Sequence, residues 1–180
     1  MIDIFDIIKE FEGIFGVLLG VIVTMVSTEL IKRWGKIYTY FDNWNASLYK
    51  QNKYGESIGI DFVDYEESDY YKYEFDLQIF NSSQIYKALR DIRIEFVFDN
   101  KSIFDIPNNN VTSRQVAFGI ISDEIKSINL IPMQILDYKL SGYIKEDRIN
   151  MGDFRTLKKI YFHSKNHKGK KVRELIKEFK

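Results

Sequence analysis

Two short motifs in this sequence have residue types and spacings that could support hydrolytic or metal chemistry. The segment Gly55–Gly59 reads GESIG and matches G-x-S-x-G, in which a strand, a sharp turn and a helix hold a nucleophilic serine exposed. Here a polar segment precedes the motif and strand-like residues follow it, so we interpret it as a Gly-rich loop. His163 and His167 have the spacing of two metal ligands on a helix, but Lys165 lies between them and strand-like residues precede them. We predict a surface position for both histidines.

The charged residues are concentrated in an acidic segment and a basic segment, although the formal net charge of the chain is zero. Residues 61–76 contain seven carboxylates and one lysine. They lack the residue order of a calcium loop, which favours a solvated acidic loop. Residues 158–180 contain nine cations and two glutamates, so we expect either a solvated face or a surface for an anionic partner. The residues predicted for this anionic-partner patch are Lys165, Lys168, Lys170, Lys171 and Arg173.

Composition excludes several classes of protein. Cysteine is absent, which excludes disulfides, Cys-ligated metals and thiol nucleophiles. The balance of 26 basic and 26 acidic residues makes nucleic acid an unfavoured partner. Because neither short motif and neither charged segment has the pattern of a catalytic or metal site, we predict no catalytic residues, no metal site and no cofactor. The expected partners are membrane lipid and either a second protein or another copy of this chain.

A long uncharged segment near the amino terminus predicts a membrane anchor. Residues 13–28 contain no charged side chain, and extension to Ile31 approaches the hydrocarbon thickness of a bilayer, about 30 Å. A cleaved signal peptide is one alternative, but the residues before the segment are acidic and lack a small-residue cleavage site. A buried helix of a soluble protein is the other alternative.

Basic and aromatic residues directly after this segment predict its orientation. Lys32, Arg33, Trp34 and Lys36 are typical of the cytoplasmic membrane interface. We expect a single-pass protein of the inner (cell) membrane with its carboxyl-terminal domain in the cytoplasm. The predicted division is an amphipathic start plus a transmembrane helix in residues 1–35 and a β-sandwich with a basic tail in residues 36–180.

Small residues recur at every fourth position of the predicted helix. Gly16, Gly20, Thr24 and Thr28 lie on one face, and Gly-x-x-x-Gly allows two membrane helices to approach closely. This spacing favours association of the anchor with a second copy.

Beyond residue 36 the hydrophobic pattern changes to a period of two. Lys72–Phe80 and Asp91–Phe98 show it most clearly, with apolar residues alternating with mainly polar ones. Seven further short strands are predicted, at Ile37–Phe41, Ile58–Val63, Ile103–Ile106, Arg114–Ile121, Ser127–Ile131, Ile135–Ile144 and Leu157–Ser164. The pattern predicts a mainly β domain built as an immunoglobulin-like sandwich, with a small closed barrel as the alternative. Residues 169–180 fit either a last strand or a short helix.

This layout resembles a set of small proteins from bacteria and their prophages, which have an uncleaved anchor and one β-domain. The resemblance rests on Ile31–Tyr40 (IKRWGKIYTY), Phe75–Ser83 (FDLQIFNSS), Leu89–Phe96 (LRDIRIEF) and Ile128–Gly142 (INLIPMQILDYKLSG). It implies a role in superinfection exclusion or in antiphage defence.

Two hypotheses of function follow. The first is a membrane-anchored interaction module without catalysis. The second is a membrane effector gated by a small ligand such as a nucleotide, which oligomerises through its anchor.

Overall fold

In the described part of the chain, one long helix precedes the β-strands. The structure, a computed structural model, describes residues 11–61, 64–116 and 119–179. Helix α1 (Glu12–Arg33) is roughly 33 Å long at 1.5 Å per residue. It is long and apolar enough to cross a membrane, and within the described residues none of its side chains is buried. Residues 2–10 of the predicted amphipathic start lie outside the described residues.

Eleven strands follow α1 in the described part of the chain. Their bounds are β1 (Ile37–Gln51), β2 (Ser57–Ile60), β3 (Tyr70–Asn81), β4 (Lys87–Val97), β5 (Ser102–Asp105), β6 (Asn108–Val116), β7 (Gly119–Glu124), β8 (Ser127–Leu130), β9 (Ile135–Lys145), β10 (Lys159–Lys165) and β11 (Lys171–Glu178). Two short 3-10 helices, Tyr65–Glu67 and Met151–Thr156, pack together at the end of the domain farthest from α1.

The strands form two separate antiparallel sheets. Sheet 1 has the order β2-β1-β3-β9-β6-β7, and sheet 2 has the order β11-β10-β4-β5. Strand β8 pairs with the first residues of β4, and β5 pairs with its last residues, so β4 organises sheet 2. This arrangement confirms the prediction of a mainly β, immunoglobulin-like sandwich; the described strands do not close into a barrel.

Aromatic rings from both sheets fill the centre of the sandwich. Trp44 of β1 stacks on Tyr73 and Phe75 of β3, each with ring centroids 5.6 Å apart. Phe96 of β4 meets Tyr73 edge-on at 5.2 Å. Burial of each large apolar side chain contributes about 1.5–3 kcal/mol, so these rings hold the two sheets together.

One buried polar contact also joins the sheets. The Tyr73 hydroxyl donates a hydrogen bond to Asp105 Oδ2 at 2.7 Å, and Arg148 Nη1 lies 2.5 Å from Asp105 Oδ1. Burial and the nearby Asp105 carboxylate raise the pKa of Tyr73 well above its usual value, so the phenol remains a donor. Gly142 leaves room for this hydroxyl, because a Cβ there would lie 2.3 Å from it.

Several predicted strand bounds were wrong. The predicted Ile37–Phe41 strand continues to Gln51, because an irregularity between residues 42 and 45 shifts the register while pairing with β3 resumes. The predicted Arg114–Ile121 strand is a hairpin of β6 and β7, and the Asn-rich residues 108–110 belong to β6. The predicted Ile58–Val63 strand is β2, and residues 62–63 lie outside the described residues. The carboxyl-terminal segment forms β11, not a helix.

Candidate functional site

The end of the sandwich next to α1, called here the helix-proximal end, is joined to the helix by hydrogen bonds. Gln84 N donates to Lys32 O in the last turn of α1 at 3.1 Å. Ser82 N donates to Lys36 O at 3.0 Å, and Lys36 N donates to Ser82 Oγ at 2.8 Å. We call residues 32–36 together with residues 82–87 the junction. Because these bonds connect the helix end to the β3–β4 loop, the fold itself sets the direction of α1.

Gly35 allows the close approach at the junction. Its φ of +134° lies in a region that other residues rarely adopt, and a Cβ would lie 2.6 Å from the Ser83 backbone. The Gly35 carbonyl accepts a hydrogen bond of 2.6 Å from Lys87 Nζ. Lys87 thereby connects the start of β4 to the segment that follows α1.

Buried Asn81 organises the loops behind the junction. Its Oδ1 accepts hydrogen bonds from Ser83 N at 3.1 Å and Ser83 Oγ at 2.6 Å. Its Nδ2 lies 2.9 Å from Ile85 O and 3.2 Å from Leu130 O. One amide side chain therefore connects the β3–β4 loop to the end of β8, which gives the junction a rigid base.

A cleft of about 730 Å³ opens between the sheets beside the junction. Arg33 and Lys36 line it from the helix side, and the β10–β11 hairpin lines it from the opposite side. We call this space the basic cleft. Its lining residues are Glu29, Arg33, Gly35, Lys36, Ile37, Thr39, Ile85, Lys87, Leu89, Ser164, Asn166, His167, Lys168, Lys170, Val172 and Glu174.

Positive charge predominates in the basic cleft. Five lining cations compare with two carboxylates, Glu29 and Glu174. Glu29 forms an ion pair with Lys32 at 3.0 Å, and Glu174 contacts the Thr39 hydroxyl. The five cations, which have no carboxylate partner among the described residues, are Arg33, Lys36, Lys87, Lys168 and Lys170.

Burial and neighbouring like charges lower the pKa values of two groups that line the cleft. Burial, and then the charge of Lys168, lower the pKa of Lys87. Burial, followed by the charges of Lys87 and Lys168, lowers the pKa of His167. Each shift disfavours the charged form, so an anion in the cleft would relieve the repulsion.

A separate charged cluster lies on the outer face of sheet 2. Buried Glu95 accepts hydrogen bonds from His163 Nε2 at 2.7 Å and Arg173 Nε at 2.9 Å. The Arg173 guanidinium also lies 3.7 Å from the centre of the Tyr161 ring. Burial alone would raise the pKa of Glu95, but the His163 and Arg173 hydrogen bonds outweigh it and lower this pKa.

The structure divides the predicted anionic-partner patch between two places. Lys168 and Lys170 line the basic cleft. Lys165, Lys171 and Arg173 lie on the outer face of sheet 2, where Lys165 Nζ is 2.6 Å from Asp91 Oδ2. One stretch of sequence therefore contributes to two surfaces, because the hairpin turns the chain over the sandwich edge.

The predicted residues of the helix remain on its exposed surface. A Cβ at Gly16 or Gly20 would meet nothing within 4 Å, and Thr24 Oγ1 donates to Gly20 O at 2.7 Å. Trp34 is 74% exposed directly after α1, next to the other predicted interface residues, Lys32, Arg33 and Lys36.

The residues with candidate chemistry lie apart from one another. Ser57 begins the short strand β2 after the β1–β2 turn, without the strand–turn–helix setting of a nucleophile elbow. His163 lies on β10, and His167 lies in the following hairpin. In the described ranges, no three His, Asp or Glu side chains lie close enough to hold a metal ion.

Sequence reasoning missed Gly35, Asn81, Lys87 and Glu95 as site residues. The sequence contained a signal for two of these four: a lysine at an inward position two residues before Leu89, and an Asn-Ser-Ser turn between two strong strands. The contacts of Lys87 with Gly35 and of Asn81 with Leu130 join residues about 50 positions apart, so neither signal specified them.

Comparison with known proteins agrees with this architecture. Residues 35–177 match the family model described as the YopI Ig-like domain. The chain is also 29% identical over 181 residues to the SPbeta prophage-derived uncharacterized protein YopI of Bacillus subtilis (strain 168), covering 99% of this chain and 100% of that protein. This chain therefore belongs to the YopI Ig-like domain family.

Proposed function

We propose that this protein is a single-pass membrane protein in which α1 anchors a non-catalytic immunoglobulin-like interaction module. The sandwich binds a protein partner at the cytoplasmic face of the cell membrane. Its relationship to a prophage-derived protein supports a role in superinfection exclusion or another form of phage defence.

The exposed apolar surface of α1 is the observation that carries the proposal. Val17, Leu19 and Met25 are 69, 62 and 66% exposed, and in the described part of the chain no strand covers them. An apolar surface of this extent needs a partner other than water. A hydrocarbon layer about 30 Å thick matches the length of the helix.

The junction supports retention of the helix over its removal as a signal peptide. Ser82 N and Gln84 N donate to carbonyls of Lys36 and Lys32. Cleavage between α1 and the sandwich would remove the Lys32 carbonyl that accepts the hydrogen bond from Gln84 N. A segment that completes the hydrogen bonding of the domain is a poor candidate for removal.

Exposed apolar side chains around the helix-proximal end support contact with lipid. Trp34, Tyr86, Met133 and Ile135 are 74, 72, 58 and 55% exposed. Trp and Tyr favour the membrane interface. The cations Lys32, Arg33 and Lys36 at the same end of α1 favour the cytoplasmic side by the positive-inside rule.

The outer face of sheet 2 is the surface we propose for the protein partner. Arg90, Arg93 and Lys171 are exposed there, and among the described residues they have no carboxylate partner. A face with several exposed cations matches an acidic protein surface, which it would attract through complementary charge.

Extraction with alkaline carbonate tests the anchor. We expect the full chain to remain with membranes and a shortened chain that begins at Lys36 to be soluble. Release of the full chain would contradict the anchor.

A reporter that is active only outside the cytoplasm tests the orientation. It should be silent when fused after Lys180 and active when fused before Met1. The reverse pattern would refute the proposed orientation.

Phage plating tests the biological role and the partner surface together. An incoming phage should form plaques with lower efficiency on bacteria that express the chain than on bacteria without it. Arg93→Glu with Lys171→Glu should abolish the effect, whereas Lys53→Glu with Lys72→Glu, at exposed positions outside sheet 2, should not. Equal plating on cells with and without the chain would contradict the role in phage exclusion.

A ligand-gated effector is the second candidate, favoured by the position of the basic cleft at the base of α1. Here the sandwich would change the association of neighbouring anchors through Gly16, Gly20, Thr24 and Thr28. Gly20→Ile should weaken association of the helices by about 1 kcal/mol or more, because their packing depends on small residues. Crosslinking in the membrane measures this association. Val21→Ile is the matched control. Equal crosslinking of the two variants would contradict association through this face.

A further inference from the structure

We infer that the basic cleft is a binding site for a phosphate-bearing anion. Arg33 and Lys36 contact the anion from the helix side, Lys168 and Lys170 contact it from the hairpin side, and Lys87 lies between them at the start of β4. The ligand is either a phospholipid headgroup or a soluble phosphorylated compound, since both present the same charged group.

Unbalanced charge is the first argument. The two carboxylates of the cleft already have partners, Lys32 for Glu29 and the Thr39 hydroxyl for Glu174. Among the described residues, the five lining cations have no carboxylate partner. Cations held together in a partly enclosed space repel one another, and an anion that bridges them offsets this repulsion.

Lys87 provides the second argument. Lys87 is buried, with 7% of its surface exposed, and within the described residues the hydrogen-bond acceptor of its ammonium group is the Gly35 carbonyl at 2.6 Å. An ammonium group has three donors, so one carbonyl leaves it short of acceptors. Burial of a lysine without an anion is unfavourable, and a phosphate oxygen in the adjoining cleft would supply the missing acceptor and charge.

The hairpin on the opposite side is held in place before any ligand binds. Asn166 Oδ1 accepts hydrogen bonds from Lys168 N and Lys170 N, each at 3.0 Å. Asn166 N also donates to Lys170 O at 3.0 Å. An ordered loop lowers the entropy lost on binding, so the two lysine side chains start from a fixed backbone.

The size and composition of the cleft suit a ligand larger than a free phosphate ion. A volume of about 730 Å³ lies within the range of small-molecule sites. Ile37, Leu89 and Val172 supply an apolar wall, and Ser164 supplies a hydroxyl. These features fit a phosphate attached to an organic group, such as a glycerol or a nucleoside.

The two sources of the phosphate depend differently on the proposed function. A lipid headgroup requires the membrane anchoring proposed above, because only then does the helix-proximal end face a bilayer. A soluble phosphorylated compound requires only the folded cleft. Separate measurements for the two sources therefore distinguish failure of this inference from failure of the anchor.

The test for the soluble source is calorimetric titration of the full chain in neutral detergent micelles with pyrophosphate as the probe. Lys168→Glu with Lys170→Glu should weaken binding at least tenfold. Lys53→Glu with Lys72→Glu, which makes the same charge change at exposed positions outside the lining of the cleft, should leave binding within twofold. Binding should also raise the pKa of His167, measured by the proton chemical shift of its ring.

The test for the lipid source uses the full chain in phosphatidylcholine bilayers with spin-labelled phosphatidylglycerol. The fraction of immobilised label should fall in the cleft variant and stay unchanged in the control variant. Binding in either test that depends on Lys168 and Lys170 supports the inference and identifies the source. Binding in neither test, or equal loss in the two variants, overturns it.

Discussion

Replacement of Gly35 by alanine should loosen the connection between α1 and the sandwich. The new Cβ would lie 2.6 Å from Ser83 Cα and N, and 2.7 Å from Ser82 C. These are backbone atoms, so no side-chain rotation can relieve the contact. The φ of +134° adds strain that glycine does not experience.

The expected size of the effect follows from these two contributions. A residue held in a sparsely populated backbone region costs of order 1–3 kcal/mol, and displacement of the β3–β4 loop weakens hydrogen bonds worth about 0.5–1.5 kcal/mol each. We expect the junction to open more easily by about 2–3 kcal/mol, which corresponds to amide exchange faster by roughly 30–150-fold.

Hydrogen exchange of the full chain in detergent measures this directly. The amides of Ser82 and Gln84 report on the junction, because they donate to Lys36 O and Lys32 O. Gly55→Ala is the matched control: Gly55 also has a positive φ, +81°, but its Cβ would meet nothing within 4 Å. Unchanged protection of both junction amides in Gly35→Ala would refute the reasoning.

Two further substitutions test the sandwich itself. Glu95→Gln should destabilise the fold by about 1–3 kcal/mol near neutral pH, because His163 and Arg173 lose a buried anion. The pKa of Glu95 is lowered in the folded state from its ordinary value of 4.5. The stability difference between wild type and Glu95→Gln should therefore be complete above pH 4.5 and should disappear as the pH falls through the lower, folded-state pKa. Urea unfolding followed by circular dichroism measures this difference. Gly142→Ala should lower Tm by about 4–10 °C through overpacking against Tyr73, whereas Gly59→Ala should have little effect.

One result for each substitution would contradict its prediction. A difference between wild type and Glu95→Gln that grows as the solution is acidified would contradict the assigned partners of Glu95. An unchanged Tm for Gly142→Ala would show that the Tyr73–Asp105 contact adjusts without cost.

Features that depend on neighbouring residues could be predicted from the sequence. The uncharged and mostly apolar residues 13–28 predict an apolar helix from composition and length, and α1 forms there. Alternation in Lys72–Phe80 and Asp91–Phe98 predicts strands because successive side chains point to opposite faces; β3 and β4 include most of these residues.

Strand bounds depended on more distant pairing. Residues 43–51 have no clear alternation around Asn43, yet they continue β1 because β3 supplies partners beyond the irregularity. Asn108–Asn110 have turn-forming side chains, yet Asn108 and Asn109 pair with β9. Ladder hydrogen bonds from an adjacent strand outweigh the local turn preference of asparagine at these positions.

The candidate site was decided by the tertiary structure. The basic residues of the carboxyl-terminal segment were evident in the sequence, but their division between the basic cleft and the outer face of sheet 2 depends on where the β10–β11 hairpin lies. Gly35 and Lys87 are 52 positions apart, and they meet because β1 and β4 begin at the same end of the sandwich. The sequence determined an apolar helix, a mainly β domain and an excess of cations near the carboxyl terminus. Packing of two sheets beside the helix end brought five of the chain's cations around one cleft, because side chains distant along the chain become neighbours only when the strands pair.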